Sequence, residues 1–275
     1  MRTERGSLWN PREREFHHPA GGARRDRAFV ALSVALFVGS MGETIRLAGA
    51  MSPGMRMPGG WTMPMAWMIM PGQTWPTAAV SFMGMWNVMM VVMMLPSLVP
   101  MLRSYRRALG ASGSRRVGAS TALVAAGYFA VWALLGAATY PVGLAIAAAA
   151  MRSPALSRWA PVASGLLVLL VGLVQLTAWK VLQLERYRHA ECCVAPSPSR
   201  RGALRDGVRL GLRCVLCCWG YILTLLVIGV MDLATMAVVA AAITIERVAP
   251  RPGLVARAAG LVVIAAGVVM IARAA

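Results

Sequence analysis

Three cysteines stand close together in the segment RCVLCCW, at Cys214, Cys217 and Cys218. Residues three and four positions apart lie on one face of a helix, so the three thiols would share a face. Soft sulfur ligands suit Cu(I), and Arg213 together with the N-terminal end of the helix would favour the thiolate form. The spacing predicts a soft-metal or redox site. The alternative is that these cysteines act as small buried apolar residues.

Methionine is concentrated in one part of the chain. Fourteen of the 20 methionines fall within residues 51–101. The thioether is a neutral, soft ligand suited to Cu(I), and it needs no deprotonation before it binds. A Pro- and Gly-rich segment holds Met51, Met55, Met57, Met63, Met65, Met68 and Met70. This segment is predicted to capture a metal ion, and the alternative is methionine that fills space in the core.

The apolar run that follows carries methionine on two faces of a predicted helix. At about 100° per residue, one face holds Met83, Asn87, Met90, Met94, Ser97 and Met101. The other row is Met85, Met89 and Met93. Polar groups of membrane helices turn toward the protein interior, so we expect the first face to line the bundle. We expect the second row to meet a neighbouring helix or lipid. The first face is either a conduction surface or an ordinary helix contact.

A second thiol-bearing segment, HAECC, contains His189, Cys192 and Cys193. Thiolate and imidazole are metal ligands, so this segment could accept or deliver a metal ion; incidental surface cysteines are the alternative. With the orientation derived below, all five cysteines lie on the reducing side, where structural disulfides are rare. The chain shows no nucleotide-binding glycine loop and no serine–histidine arrangement, so we predict no enzymatic activity.

Ionisable residues inside apolar runs mark a functional site or anchor a helix at the membrane interface. Lys180 lies at the inner end of the fourth predicted span, and Glu246 and Arg247 lie at the inner end of the sixth. Both interpretations stay open for these three residues.

The elements that position these groups are apolar helices. Of 275 residues, 58% are hydrophobic and 14% are charged, whereas soluble domains have about 25% charged residues. Apolar runs of about 18 or more residues are typical of membrane helices, and the runs lack the period-two alternation of a barrel. The sequence predicts an all-α, polytopic transmembrane helix bundle of about seven spans, or six if two of them merge. The predicted spans are 28–49, 77–101, 120–140, 160–181, 212–231, 234–249 and 256–273.

Basic residues set the expected orientation. The net charge is +18, and most of the 28 Lys and Arg residues lie in 1–27, 102–118, 180–213 and 247–257. Basic loops mark the cytoplasmic side of a membrane protein, so the charge does not indicate a nucleic-acid partner. We expect a disordered cytoplasmic tail over 1–27 and one transmembrane domain over 28–275. Because Lys180 is the only lysine, the arginine bias is typical of a high-GC bacterium and favours a bacterial inner membrane.

Three stretches resemble a bacterial family of predicted metal-binding integral membrane proteins, domain of unknown function 2182. They are WNVMMVVMMLPSLVPML at 86–102, GLVQLTAWK at 172–180 and GVRLGLRCVLCCW at 207–219. The resemblance covers roughly residues 28–273. The family's CLxHC-type segment has Gln183 and Tyr187 at its cysteine positions in this chain. The resemblance implies a metal-binding membrane protein that keeps the cysteine cluster.

Together these features favour an inner-membrane protein that binds or transports a soft metal ion, with Cu(I) preferred. The outer methionines would capture the ion, the methionine-lined span would pass it on, and the cysteine cluster would hold it at the inner face. The expected partners are the lipid bilayer and a metal donor or acceptor protein. The alternatives are a non-transporting scaffold or assembly partner, and a thiol oxidoreductase.

Overall fold

The structure, a computed structural model, describes residues 20–50, 54–69, 72–111, 116–193, 197, 199–230 and 232–274, with only the backbone for 20–25 and 189–193. Within these ranges the chain forms helices joined by short connections, together with one small hairpin. The helices are α1 Ala20–Ala50, α2 Trp75–Ala111, α3 Val117–Arg152, α4 Pro154–Gln175, α5 Ala178–Cys193, α6 Arg200–Ile228, α7 Leu233–Val248 and α8 Pro252–Ala274. The strands are β1 Met55–Arg56 and β2 Thr62–Met63.

The predicted all-α bundle is confirmed. Six helices in the described part of the chain, α1, α2, α3, α4, α6 and α8, are long and apolar enough to cross a membrane, so the fold is compatible with a multi-pass membrane protein. Of the predicted six or seven spans, the structure supports six by this measure, because α7 has only 16 residues and a span needs about 20. The proposed tail also overlaps a helix, since α1 begins at Ala20.

The fourth predicted span, 160–181, was wrong in its boundaries. Helix α4 begins at Pro154, where the Ser153 hydroxyl accepts the Leu156 N–H at 3.4 Å as an N-cap, and it ends at Gln175. Proline at the first helical position suits a helix start, because its missing N–H needs no partner there. Lys180 therefore belongs to a separate helix, α5. The helix break matters because α5 packs against α6 as an element separate from α4.

Glycines let α3 and α6 approach closely. A Cβ added at Gly207 would lie 2.2 Å from the Val124 carbonyl oxygen, and one added at Gly127 would lie 2.5 Å from the Leu204 carbonyl oxygen. Small residues of this kind allow the backbones of membrane helices to meet. The close approach brings Tyr128 of α3 against Cys214 of α6. The glycine contact therefore positions one wall of the cysteine cluster.

The variant Gly207→Ala is expected to destabilise the protein by about 1–3 kcal/mol, the usual cost of forcing extra volume into a packed contact. The added methyl group meets backbone, which cannot rotate away. Thermal unfolding of the purified protein in detergent measures the change. The matched control is Gly118→Ala in α3, where an added Cβ has nothing within 4 Å. Equal stability of the two variants would show that the α3–α6 contact is not tight.

The methionine-rich segment between α1 and α2 is folded against the bundle. Its two strands pair in register Met55–Met63, and the Trp61 indole N–H donates to the Ser157 carbonyl at 2.9 Å. The Ser157 hydroxyl in turn donates to the Pro58 carbonyl at 2.8 Å. These contacts fix the hairpin to the beginning of α4. The hairpin is therefore a structured cap on one end of the bundle.

Candidate metal site

Four helices meet around the sulfur atoms of Cys214 and Cys218. Both cysteines lie on the buried face of α6, and their side chains are at most 1% exposed. Helix α2 contributes Met94, α3 contributes Tyr128 and α7 contributes Arg247, as the contacts below show. The spacing of four residues places the two thiols one helical turn apart on the same face, as the sequence predicted.

Arg247 joins the two cysteines. Its Nη2 lies 2.9 Å from the Cys214 Sγ and 2.9 Å from the Cys218 Sγ. Because one nitrogen contacts both sulfur atoms, they can be separated by no more than twice that distance. Its Nη1 donates to the Ser97 hydroxyl at 2.7 Å and to the Tyr187 hydroxyl at 3.1 Å, and its guanidinium lies 4.1 Å from the centroid of the Tyr187 ring. The guanidinium thus contacts both thiols at once.

A thioether completes a row of three sulfur atoms. The Met94 Sδ lies 3.9 Å from the Cys214 Sγ, and the hydroxyl of Tyr128 lies 2.9 Å from the same thiol. Met94 has no exposed surface. Two thiols and a thioether are a donor set that suits a soft monovalent ion such as Cu(I). These three residues are therefore the strongest candidate ligands in the described part of the chain.

Cys217 occupies a different environment from the other two cysteines. It is 3% exposed, and its carbonyl accepts a hydrogen bond from the Lys180 ammonium at 2.8 Å. The described residues contain no group of three or more His, Cys, Asp or Glu side chains arranged to hold a metal ion. The three cysteines therefore do not form a ready three-thiolate site. The structure instead brings Cys214 and Cys218 together with Met94, and the Cys217 thiol interacts with Cys218.

A buried ion pair lies next to the cysteine cluster, beside Tyr221 of α6. The Lys180 ammonium of α5 lies 2.9 Å from the Glu246 carboxylate of α7, and each side chain is 2% exposed. The Tyr221 hydroxyl of α6 donates a short hydrogen bond to the same carboxylate. Lys180 and Glu246 are therefore not interfacial anchors. They tie three helices together beside the cysteines, where Lys180 also donates to the Cys217 carbonyl.

The α2 methionines are more deeply buried than the sequence indicated. Met85, Met89, Met90, Met93 and Met94 are all 2% exposed or less. The sequence left open whether the Met85 row meets a neighbouring helix or lipid. The row packs against neighbouring helices, because it belongs to the central core. On the opposite row, Met101 is 7% exposed and Met83 is only half-buried. Both rows, and not one stripe, face the bundle interior.

Some of the hairpin methionines lie in the hydrophobic core. Met57 and Met63 are buried, so packing accounts for these two better than the sequence suggested, whereas Met55 is 46% exposed. Met65 and Met68 instead line a cavity of about 200 Å³ together with Met85 of α2 and Tyr140 of α3. The cavity brings three thioethers together at the hairpin end of α2. It is the point where the hairpin and the α2 methionines meet.

Several predicted ligands cannot be placed. The side chains of His189, Cys192 and Cys193 lie outside the described part of the chain, although the backbone there continues α5 to Cys193. Met51 and Met70 also lie outside the described residues. For all five, a role in metal binding stays a prediction.

The sequence pointed to the wrong basic residue beside the cysteines. Arg213 is exposed, whereas Arg247, 33 positions from Cys214 along the chain, contacts both thiols. The two tyrosines of the site, Tyr128 and Tyr187, were likewise not recognised as neighbours of the cluster. Tyr187 had a signal, because the family resemblance placed a cysteine at that position.

A comparison with known protein families links this chain to copper. A copper chaperone family model, PpoB2, matches residues 83–270. The match includes the α2 methionines from Met83 onward, the cysteine cluster and Arg247, and it leaves out α1 and the hairpin. No curated protein and no solved structure shows a significant match. Because the match spans more than half of the chain, the protein belongs to the PpoB2 family of copper chaperones.

Proposed function

We propose that the protein holds Cu(I) in transit inside a membrane, bound by the sulfur atoms of Cys214, Cys218 and Met94. The observation that carries this proposal is the meeting of two thiols and a thioether in a buried cluster. Soft sulfur donors favour Cu(I) over harder ions. The copper-related family supports the identity of the ion.

The route to this site would follow α2. Met65, Met68 and Met85 at the 200 Å³ cavity would receive the ion from outside the membrane. From Met85 to Met94 is nine residues, or about 14 Å at a rise of 1.5 Å per residue. The buried methionines between them would supply neutral sulfur along that distance. Thioethers suit a relay because they bind soft ions without a charge that must be neutralised.

A thiol oxidoreductase is supported less well. Cys214, Cys217 and Cys218 are free thiols that are buried, whereas cysteines that react with protein partners are usually partly exposed. A metal ion is small enough to reach them along the helix. A scaffold remains the second candidate, because methionines in the core also serve as packing.

The cysteine site makes a direct prediction. Cu(I) added to the full chain in detergent, with a competing chelator under reducing conditions, is expected to fill one tight site. The double variant Cys214→Ser/Cys218→Ser should lose that site, whereas Cys217→Ser should keep it, because the proposed ligands Cys214, Cys218 and Met94 all remain. Unchanged stoichiometry in the double variant would refute the site. It would shift attention to Cys192 and Cys193.

We also propose that the protein lies in a bacterial inner membrane with its N-terminus in the cytoplasm. In this orientation the cysteine site would handle copper at the cytoplasmic face. Reporter fusions after residues 110 and 195 should read as cytoplasmic, and a fusion after residue 65 should read as periplasmic. The basic loops favour this orientation. A periplasmic signal at residue 195 would reverse the route and put the cysteine site at the outer face.

A further inference from the structure

Arg247 is a buried cation with no acidic partner in the described part of the chain. Its side chain is 5% exposed, and within the described ranges the ion pairs are Arg46–Glu43, Arg106–Asp26 and Lys180–Glu246. The partners of its terminal nitrogens are two hydroxyls and two cysteine sulfurs. Its Nε has no hydrogen-bond partner among the described residues. The guanidinium is therefore held by groups that are neutral unless a thiol is ionised.

The buried charged side chains in this region sum to one positive charge. Three charged side chains are buried in the described part of the bundle, namely Lys180, Glu246 and Arg247, and the first two neutralise each other at 2.9 Å. An uncompensated ion in such an interior is strongly unfavourable. The interior around Cys214 and Cys218 thus favours a bound species with a single negative charge.

We propose that Arg247 is the counterion that makes this site selective for monovalent soft cations; the inference rests on the proposed function of the cysteines. When Cu(I) binds, Cys214 and Cys218 each release a proton to the medium, and the two thiolates with one monovalent cation carry a charge of minus one. No electron is transferred. The guanidinium, already next to both sulfur atoms, neutralises this anion.

A divalent ion does not satisfy the same charge count. With two thiolates and the neutral Met94 it forms a neutral unit, which leaves Arg247 unpaired and next to a metal cation. A third thiolate would restore the charge, and Cys217 is the only other cysteine whose side chain the structure describes. Tests of this selectivity therefore belong in a Cys217→Ser background, where the third thiolate is absent.

The first test uses Ag(I) and Cd(II) as the probes. The purified full chain carrying Cys217→Ser receives an equimolar mixture of both ions, and the bound metals are counted by mass spectrometry. Arg247→Met, which removes the charge and keeps much of the side-chain volume, should lower the ratio of bound Ag(I) to Cd(II) at least tenfold. Arg247→Lys should keep most of the selectivity, because it retains the charge.

The second test leaves Arg247 in place and neutralises it. The Ser97 hydroxyl lies 2.7 Å from the Arg247 Nη1, so Ser97→Asp places a carboxylate where it can pair with the guanidinium. This variant should weaken Ag(I) retention at least tenfold relative to Ser97→Asn, which has nearly the same shape and no charge. This pair decides the issue even if Arg247→Met does not fold.

The outcomes separate the two claims. Ag(I) retention in Ser97→Asp that stays within twofold of that in Ser97→Asn would overturn the counterion role and leave the cysteine site standing, and so would an unchanged Ag(I)-to-Cd(II) ratio in a folded Arg247→Met. Failure of the parent protein to bind Ag(I), or full Ag(I) binding after Cys214→Ser/Cys218→Ser, would overturn the site itself. A selective loss in Ser97→Asp but not in Ser97→Asn supports the counterion.

Discussion

Glu246→Gln is expected to destabilise the protein by about 3–5 kcal/mol, the cost of removing one partner from a buried ion pair. Lys180 would be left charged and 2% exposed, without the carboxylate that now lies 2.9 Å away. The Tyr221 hydroxyl would also lose its charged acceptor. Thermal unfolding in detergent measures the loss.

The double variant Lys180→Met/Glu246→Gln should recover much of that stability, because the unpaired charge is removed with its partner. Asp26→Asn serves as the control, since Asp26 pairs with Arg106 at 3.4 Å while 65% exposed. Exposed pairs contribute under about 1 kcal/mol. A similar loss for Glu246→Gln and Asp26→Asn would show that the buried pair does not hold α5, α6 and α7 together.

Met90→Leu/Met94→Leu is expected to reduce copper transfer by more than tenfold in cells that express equal amounts of each variant. The swap conserves volume and usually costs less than about 1.5 kcal/mol per site, so the fold should persist. It removes the sulfur atom 3.9 Å from the Cys214 Sγ and the buried thioether one helical turn before it. Copper accumulation per cell is the measured quantity.

Met236→Leu is the matched control, because Met236 is a buried methionine of α7, 4% exposed, that has no place on the proposed route. It should leave copper transfer unchanged. Equal transfer in the α2 variant and this control would mean that the thioethers only pack, and the scaffold alternative would then be preferred.

Local patterns predicted much of the fold and part of the site. The apolar runs identified the long helices, and the spacing in RCVLCCW placed Cys214 and Cys218 on one buried face. These features depend on residues close together in the chain. The helix break after Gln175 was missed, because apolar character continues through 176–179 and conceals the end of α4.

The partners of the cysteines could not be predicted in the same way. Tyr128 lies 86 positions from Cys214 and Met94 lies 120 positions away. Their contacts depend on how α2 and α3 pack against α6, which a periodic pattern does not encode. Arg247 illustrates the difficulty, since Arg213 adjoins Cys214 in sequence yet points outward.

Copper K-edge X-ray absorption of the full chain loaded with one equivalent of Cu(I) tests the central claim most directly. We predict a first shell made only of sulfur, which changes when Cys214 and Cys218 are replaced by serine. In protein labelled with selenomethionine, a copper–selenium contact should appear and should vanish in Met94→Leu. A first shell of nitrogen or oxygen, or a sulfur shell unchanged in Cys214→Ser/Cys218→Ser, would contradict the account.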